Sequence, residues 1–214
     1  MIKIEKTPTP PASLAIEKNK KNGSYRNPDV IALLRKDFHD KCYLCELNEL
    51  QSVEVEHLKP HHGDKELKFD WNNLFYSCAH CNSVKNTPQY EDKLLNCCLV
   101  DPEEALLQKL ENGHVVVIPL VQDEKALMTA RLLTECFEKN NTGIRLIECE
   151  TRVNALRKTM NLLYKTLADY EKSHSKRSLS ILHGMLAREY KFSAFTRTYV
   201  REHLARYPYL EKYI

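Results

Sequence analysis

Two Cys-x-x-Cys pairs constrain this chain more than any other feature of its sequence. Cys42 and Cys45 form the first pair, and Cys78 and Cys81 form the second. Four thiolates in two such knuckles surround one tetrahedral Zn²⁺ at about 2.3 Å per bond and leave no position open for a substrate. The spacing therefore predicts a structural zinc site that staples the segment between the two pairs.

The other four cysteines are expected to be reduced and mostly buried; they are Cys97, Cys98, Cys136 and Cys149. An even number of cysteines also occurs in secreted disulfide scaffolds, but the N-terminus lacks the apolar core of a signal peptide. No run of about 18 apolar residues is present, so we expect no membrane-spanning helix. These features together predict a cytoplasmic protein.

Charge is distributed unevenly along the chain, although the net charge is only +3. Residues 1–27 carry six Lys and Arg against two Glu, and residues 172–214 carry nine against three. Residues 91–124 instead carry eight acidic residues against two Lys. Basic ends are typical of contact with a polyanion, while solvated helix faces explain the same pattern equally well.

Local patterns predict an α+β chain in three parts. Residues 1–27 contain the run Thr7–Pro11, which disfavours a helix, so we expect an extended basic arm lying on this protein or on a partner. Residues 28–99 should form a small domain around the knuckles. Residues 100–214 should be mainly helical, with amphipathic stripes over 127–137 and 144–170.

The knuckle domain reads as helix, strand, loop, strand and helix. The predicted elements are a helix from Pro28 to about Lys41, a strand over Val53–Leu58, a strand over Leu74–Tyr76 and a helix over Ala79–Lys85. In the C-terminal part, a short helix opens at Pro102, a small strand covers Val115–Ile118, and helices follow from Asp123.

Three side chains held between or beside the knuckles are suited to phosphate chemistry. His57 has an ordinary pKa of about 6.5, so it can be neutral at working pH and accept a proton from water. Glu56 and Asn82 are hard oxygen donors, which Mg²⁺ or Mn²⁺ prefers. Because neighbours on a flat strand point to opposite faces, Glu56 and His57 share one site only if the strand twists or ends there. Pro60 favours such an end.

The order of these motifs resembles the HNH endonucleases, in the zinc-stapled form of their ββα-metal fold. The resemblance covers Cys42 to Asn86 and implies a metal-dependent enzyme that cuts phosphodiester bonds in DNA, with tRNA or other RNA as the alternative substrate. The roles it implies are general base for His57, ligands of a catalytic Mg²⁺ or Mn²⁺ for Glu56 and Asn82, loop brace for Asn73, and phosphate contact for Lys85.

Two further histidines are candidates for substrate contact. His80 lies between two predicted zinc ligands and is expected to face solvent, where it can meet a phosphate. His61 lies in the polar loop after the first strand. Each is also explained as a surface residue without a function.

A second resemblance covers more of the chain. The opening Ile2–Ile4, the phrase Lys41–Glu46 and the helical tail are similar to the PtuB family, the HNH effectors of Septu and retron-associated antiphage systems. This similarity implies a PtuA-like ATPase as partner and, in a retron, a reverse transcriptase with its RNA and DNA. The alternative function is a non-catalytic zinc module that binds nucleic acid or a protein.

Overall fold

The computed structural model describes residues 1–50 and 52–214. The helices are α1 (Ala12–Lys18), α2 (Pro28–Asp37), α3 (Lys65–Phe69), α4 (Ala79–Lys85), α5 (Pro102–Ala105), α6 (Glu124–Glu138), α7 (Gly143–Ser173), α8 (Lys176–Leu186) and α9 (Ser193–Glu202). The strands are β1 (Val53–His57), β2 (Leu74–Cys78), β3 (Leu106–Glu111) and β4 (His114–Pro119). Within these residues, no helix is both long and apolar enough to cross a membrane.

The two knuckles are joined by a short antiparallel pair of strands. β1 pairs with β2 in a register that sets Val53 opposite Cys78 and His57 opposite Leu74. α4 begins directly after β2 and packs on both strands. β2 continues to Cys78, two residues beyond the predicted end, because the knuckle cysteine itself still pairs with β1.

The N-terminal segment packs on the rest of the chain. Ile4 donates its backbone N–H to the carbonyl of Cys97 at 2.9 Å, and the Thr7 hydroxyl donates to Asp37 at 2.8 Å. The segment is not extended throughout, because α1 starts directly after the proline run. Leu14 of α1 is buried, whereas Ile16 is 60% exposed.

A second antiparallel pair, β3 and β4, stands where the sequence predicted one small strand. Its turn is formed by Asn112 and Gly113, with φ of 51° and 84°. Asn-Gly is the preferred pair for a two-residue hairpin turn, since both residues tolerate positive φ. This signal predicts β3, which hydrophobic periodicity alone did not identify.

The predicted helical stripes are buried over most of their length. On α7 the buried residues include Leu156, Leu163 and Leu167. Ile144 and Ile147 at the start of α7 are instead 78% and 65% exposed, so the stripe prediction was wrong there. Periodicity identifies a helix face, whereas burial also requires a neighbouring element over that face.

Candidate active site and zinc centre

The four knuckle cysteines meet in the interior of the fold. Their sulfur atoms all lie within 4.8 Å of one another, and all four side chains are buried. In the described residues none of them forms a disulfide. Four converging thiols are the donor set of a closed tetrahedral zinc site, so these residues fit the predicted metal.

Local backbone geometry forms both knuckles. Cys78 is the N-cap of α4, and its sulfur accepts the backbone N–H of Cys81 at 3.4 Å. In the first knuckle, Glu46 has a left-handed φ of 58° and donates its N–H to the carbonyl of Cys42 at 2.9 Å. Each turn folds its pair of sulfurs toward one side of the backbone.

A solvent-accessible cleft of about 430 Å³ lies between β1, α4 and the loop that follows β1. Five predicted site residues line it: Glu56, His57, His61, Asn82 and Lys85. β1 ends at His57. The strand therefore ends one residue before the predicted Leu58, and the adjacent residues Glu56 and His57 both line the cleft.

Hydrogen bonding fixes the orientation of the His57 ring. Its Nε2 lies 2.9 Å from the backbone carbonyl of Lys68. A carbonyl only accepts, so Nε2 carries the proton and Nδ1 keeps a lone pair. Burial lowers the pKa of His57 to about 4, while the hydrogen bond to Lys68 acts in the opposite direction. The imidazole is therefore a neutral base at neutral pH.

Glu56 is a buried carboxylate whose only nearby ion-pair partner in the described residues is Lys85. The Lys85 ammonium lies 2.7 Å from Glu56 Oε1 and donates to the backbone carbonyl of His57 at 2.9 Å. Neither Glu56 oxygen accepts a hydrogen bond of regular geometry from these residues. Burial raises the pKa of Glu56, and Lys85 opposes that shift. A buried carboxylate beside a cleft, held by one ion pair, has the hard oxygen chemistry of a ligand for a divalent ion.

Asn73 braces the loop that borders the cleft. Its side-chain oxygen accepts the N–H of Lys59 at 2.8 Å, and its amide donates to the carbonyls of Lys59 and Leu67 at 2.9 and 3.1 Å. Asn73 does not line the cleft itself. It acts on the site through the backbone of this loop.

Two predicted contacts are placed differently from the expectation. His80 is buried, not exposed, with Nε2 donating to the carbonyl of Cys136 on α6 at 3.0 Å. It does not line the cleft, because α6 packs on this side of α4. Lys85 lines the cleft, but its ammonium contacts Glu56 and the chain backbone.

Sequence reasoning missed Tyr25 and Arg26, which form one wall of the cleft. The Tyr25 ring meets His57 edge-on at 4.5 Å between centroids, and His61 approaches His57 at 4.8 Å. Arg26 pairs with Glu54 at 3.0 Å and is half exposed. The available signal was an aromatic residue beside an arginine in a basic segment, which is too common to identify a site.

Comparison with known proteins identifies a partial similarity. No family model matches the chain. The chain is 31% identical to the Septu protein PtuB of Bacillus mycoides (strain KBAB4), in an alignment that covers 39% of this chain and 39% of that protein. The chain thus spans 39% of the length of this relative, and the similarity is partial.

Proposed function

We propose that this chain is a metal-dependent endonuclease that hydrolyses phosphodiester bonds in nucleic acid. The observation that supports the proposal is the cleft that His57, Glu56 and Asn82 all line, in the same small domain as the four-cysteine cluster. The resemblance to HNH endonucleases assigns the same three residues to catalysis.

His57 is the general base of the proposed reaction. A water molecule transfers a proton to Nδ1 of His57 while its oxygen forms a bond to phosphorus. The bond between phosphorus and the 3′ oxygen breaks, and this oxygen takes a proton from solvent. The products are a 5′-phosphate and a 3′-hydroxyl, as the resemblance implies.

Glu56 and Asn82 would hold the Mg²⁺ or Mn²⁺ ion. When bound, this ion supplies positive charge for the phosphate and for the departing oxygen. Asn73 keeps the neighbouring loop in place through its three hydrogen bonds to loop backbone. Tyr25 and His61 pack against the His57 ring.

The test measures cleavage of labelled double-stranded DNA and of total tRNA by the purified chain. The chain is assayed alone and with a PtuA-like ATPase, in the presence of Mg²⁺ or of EDTA. His57→Ala should lower the rate by about 10²–10⁴-fold, the contribution of a positioned base. His114→Ala is the matched control, since His114 is 74% exposed on β4 and outside the cleft. Equal cleavage by both variants would overturn the role of His57 as base, and absence of Mg²⁺-dependent cleavage by the wild type would favour the non-catalytic zinc module.

We also propose that the chain acts as the effector of an antiphage defence system together with a PtuA-like ATPase. The similarity to a Septu protein PtuB supports this role. Cells that carry both proteins should resist phage, and His57→Ala should abolish resistance while the ATPase still co-purifies. Resistance retained with His57→Ala would separate the defence role from nuclease activity.

A further inference from the structure

A buried arginine from the C-terminal helices reaches the cysteine cluster. Arg152 lies on α7 and is 3% exposed. Its Nη2 donates to the sulfur of Cys78 at 3.1 Å, across 74 residues of sequence. Its Nη1 donates to the carboxylate of Glu148 at 2.6 Å, one turn earlier on the same helix. The guanidinium therefore bridges an outer carboxylate and an inner sulfur.

Charge explains why an arginine occupies this position. Four thiolates around Zn²⁺ leave the cluster with a net negative charge, which is unfavourable in a protein interior unless it is compensated. Arginine stays protonated in proteins and needs an anionic acceptor when buried. Each group thus compensates the other: Arg152 partly neutralises the cluster, and Cys78 satisfies one side of the guanidinium.

The contact lies within a wider seam between α4 and the helices α6 and α7. His80 of α4 donates to the carbonyl of Cys136 on α6 at 3.0 Å. Cys149 of α7 donates its thiol to the carbonyl of Lys139 at 3.4 Å, which holds the start of α7 against the end of α6. Within this seam, Arg152 contacts a zinc-ligand sulfur from a helix outside the knuckle region.

We infer that Arg152 is a working part of the zinc centre and joins the C-terminal helices to the knuckles through the sulfur of Cys78. The zinc site then connects the C-terminal helices to the knuckle domain, in addition to stabilising the knuckle domain itself. Two consequences follow: loss of the guanidinium speeds the release of zinc, and loss of zinc loosens the packing of α6 and α7 on α4. Neither consequence depends on the proposed nuclease function.

The experiment compares zinc release from the full zinc-loaded chain into excess chelating dye. Arg152→Met removes the charge and the donors while keeping an unbranched side chain, and we expect release to accelerate by about 10–100-fold, as for other residues that support metal ligands. Arg157→Met is the matched control, because Arg157 is an exposed arginine on the same helix that bonds to Asn154. It should release zinc at the wild-type rate.

A second variant, Arg152→Lys, tests the inference if Arg152→Met does not fold. Lysine keeps the charge but has no planar fork to span Glu148 and Cys78, so its release rate should exceed that of the wild type. Hydrogen exchange should also rise in α6 and α7 of either Arg152 variant and leave α9 unchanged. The inference would be overturned if a folded Arg152 variant released zinc at the wild-type rate, or if the rate of hydrogen exchange in α6 and α7 were unchanged.

Discussion

The ammonium of Lys85 lies 2.7 Å from the carboxylate of Glu56, and both side chains are almost fully buried. The pair joins the helix after the second knuckle to the strand that carries His57. Removing one member of a buried pair leaves the other charge uncompensated. Lys85 therefore bears on stability and on the state of a proposed metal ligand, in addition to any contact with phosphate.

Lys85→Met should lower the free energy of unfolding by about 3–5 kcal/mol at pH 7.5, because Glu56 is left buried without a cation. Urea denaturation measures this change. The double variant Lys85→Met with Glu56→Gln should recover most of the loss. Lys59→Met is the control, since the Lys59 side chain is half exposed in its pair with Asp92 and should change stability by less than about 1 kcal/mol. Equal losses for Lys85→Met and Lys59→Met would contradict the prediction.

His57 should remain neutral down to about pH 5. Its pKa is lowered from 6.5 to about 4, chiefly by burial, so the unfolded chain binds the proton first. The contribution of the neutral ring to the free energy of unfolding is complete above pH 6.5. It is lost as the pH falls from 6.5 through about 4. NMR titration of the imidazole, without added Mg²⁺, measures the midpoint directly. A midpoint near 6.5 in the folded protein would disprove the prediction.

Two substitutions of Tyr25 test whether its ring contributes to the burial that lowers the pKa of His57. Tyr25→Ala removes the ring that lies 4.5 Å from His57 and admits water, so the pKa of His57 should rise toward 6.5. Tyr25→Phe keeps the edge contact and should leave the titration unchanged. If both variants titrate like the wild type, the N-terminal segment does not control the base.

Asn73→Ala should destabilise the chain by about 1–3 kcal/mol, because two backbone carbonyls and one N–H of the loop lose their partner. Thermal denaturation and hydrogen exchange over residues 58–67 report the effect. Cleavage should slow while the affinity for Mn²⁺ stays constant, since Asn73 does not line the cleft. Asn72→Ala, at an exposed neighbouring position, is the control. Unchanged protection of residues 58–67 from hydrogen exchange in Asn73→Ala would argue against the bracing role of Asn73.

Cys42→Ser should abolish zinc binding and lower the thermal midpoint, because a closed site with three thiols loses its tetrahedral shell. Metal analysis of the purified chain should find about one zinc ion in the wild type and almost none in this variant. Cys98→Ser is the matched control, since Cys98 lies outside the cluster. Full zinc content in Cys42→Ser would show that the cluster does not hold the ion.

Short-range spacing predicted both strands and the starts of the flanking helices around the knuckles, but it missed α3 and placed the end of α2 near Lys41 instead of at Asp37. The Cys-x-x-Cys pairs, the start of α2 at Pro28 and the helix Ala79–Lys85 each depend on residues within one or two turns. The hairpin at Asn112 and Gly113 has an equally local signal in its turn residues, whereas hydrophobic periodicity alone does not identify β3. The exposed Ile144 marks the limit of periodicity, which does not say what covers a helix face.

The sequence by itself determined which cysteines can share a metal and which side chains we propose as a phosphodiesterase site. Only the tertiary structure decided that His80 is buried under α6, that Lys85 contacts Glu56, that Tyr25 packs on His57 and that Arg152 reaches Cys78. The reason is physical: a turn fixes the positions of residues three apart through a few backbone dihedrals. Contacts between residues tens of positions apart depend instead on how all the packed elements share one interior.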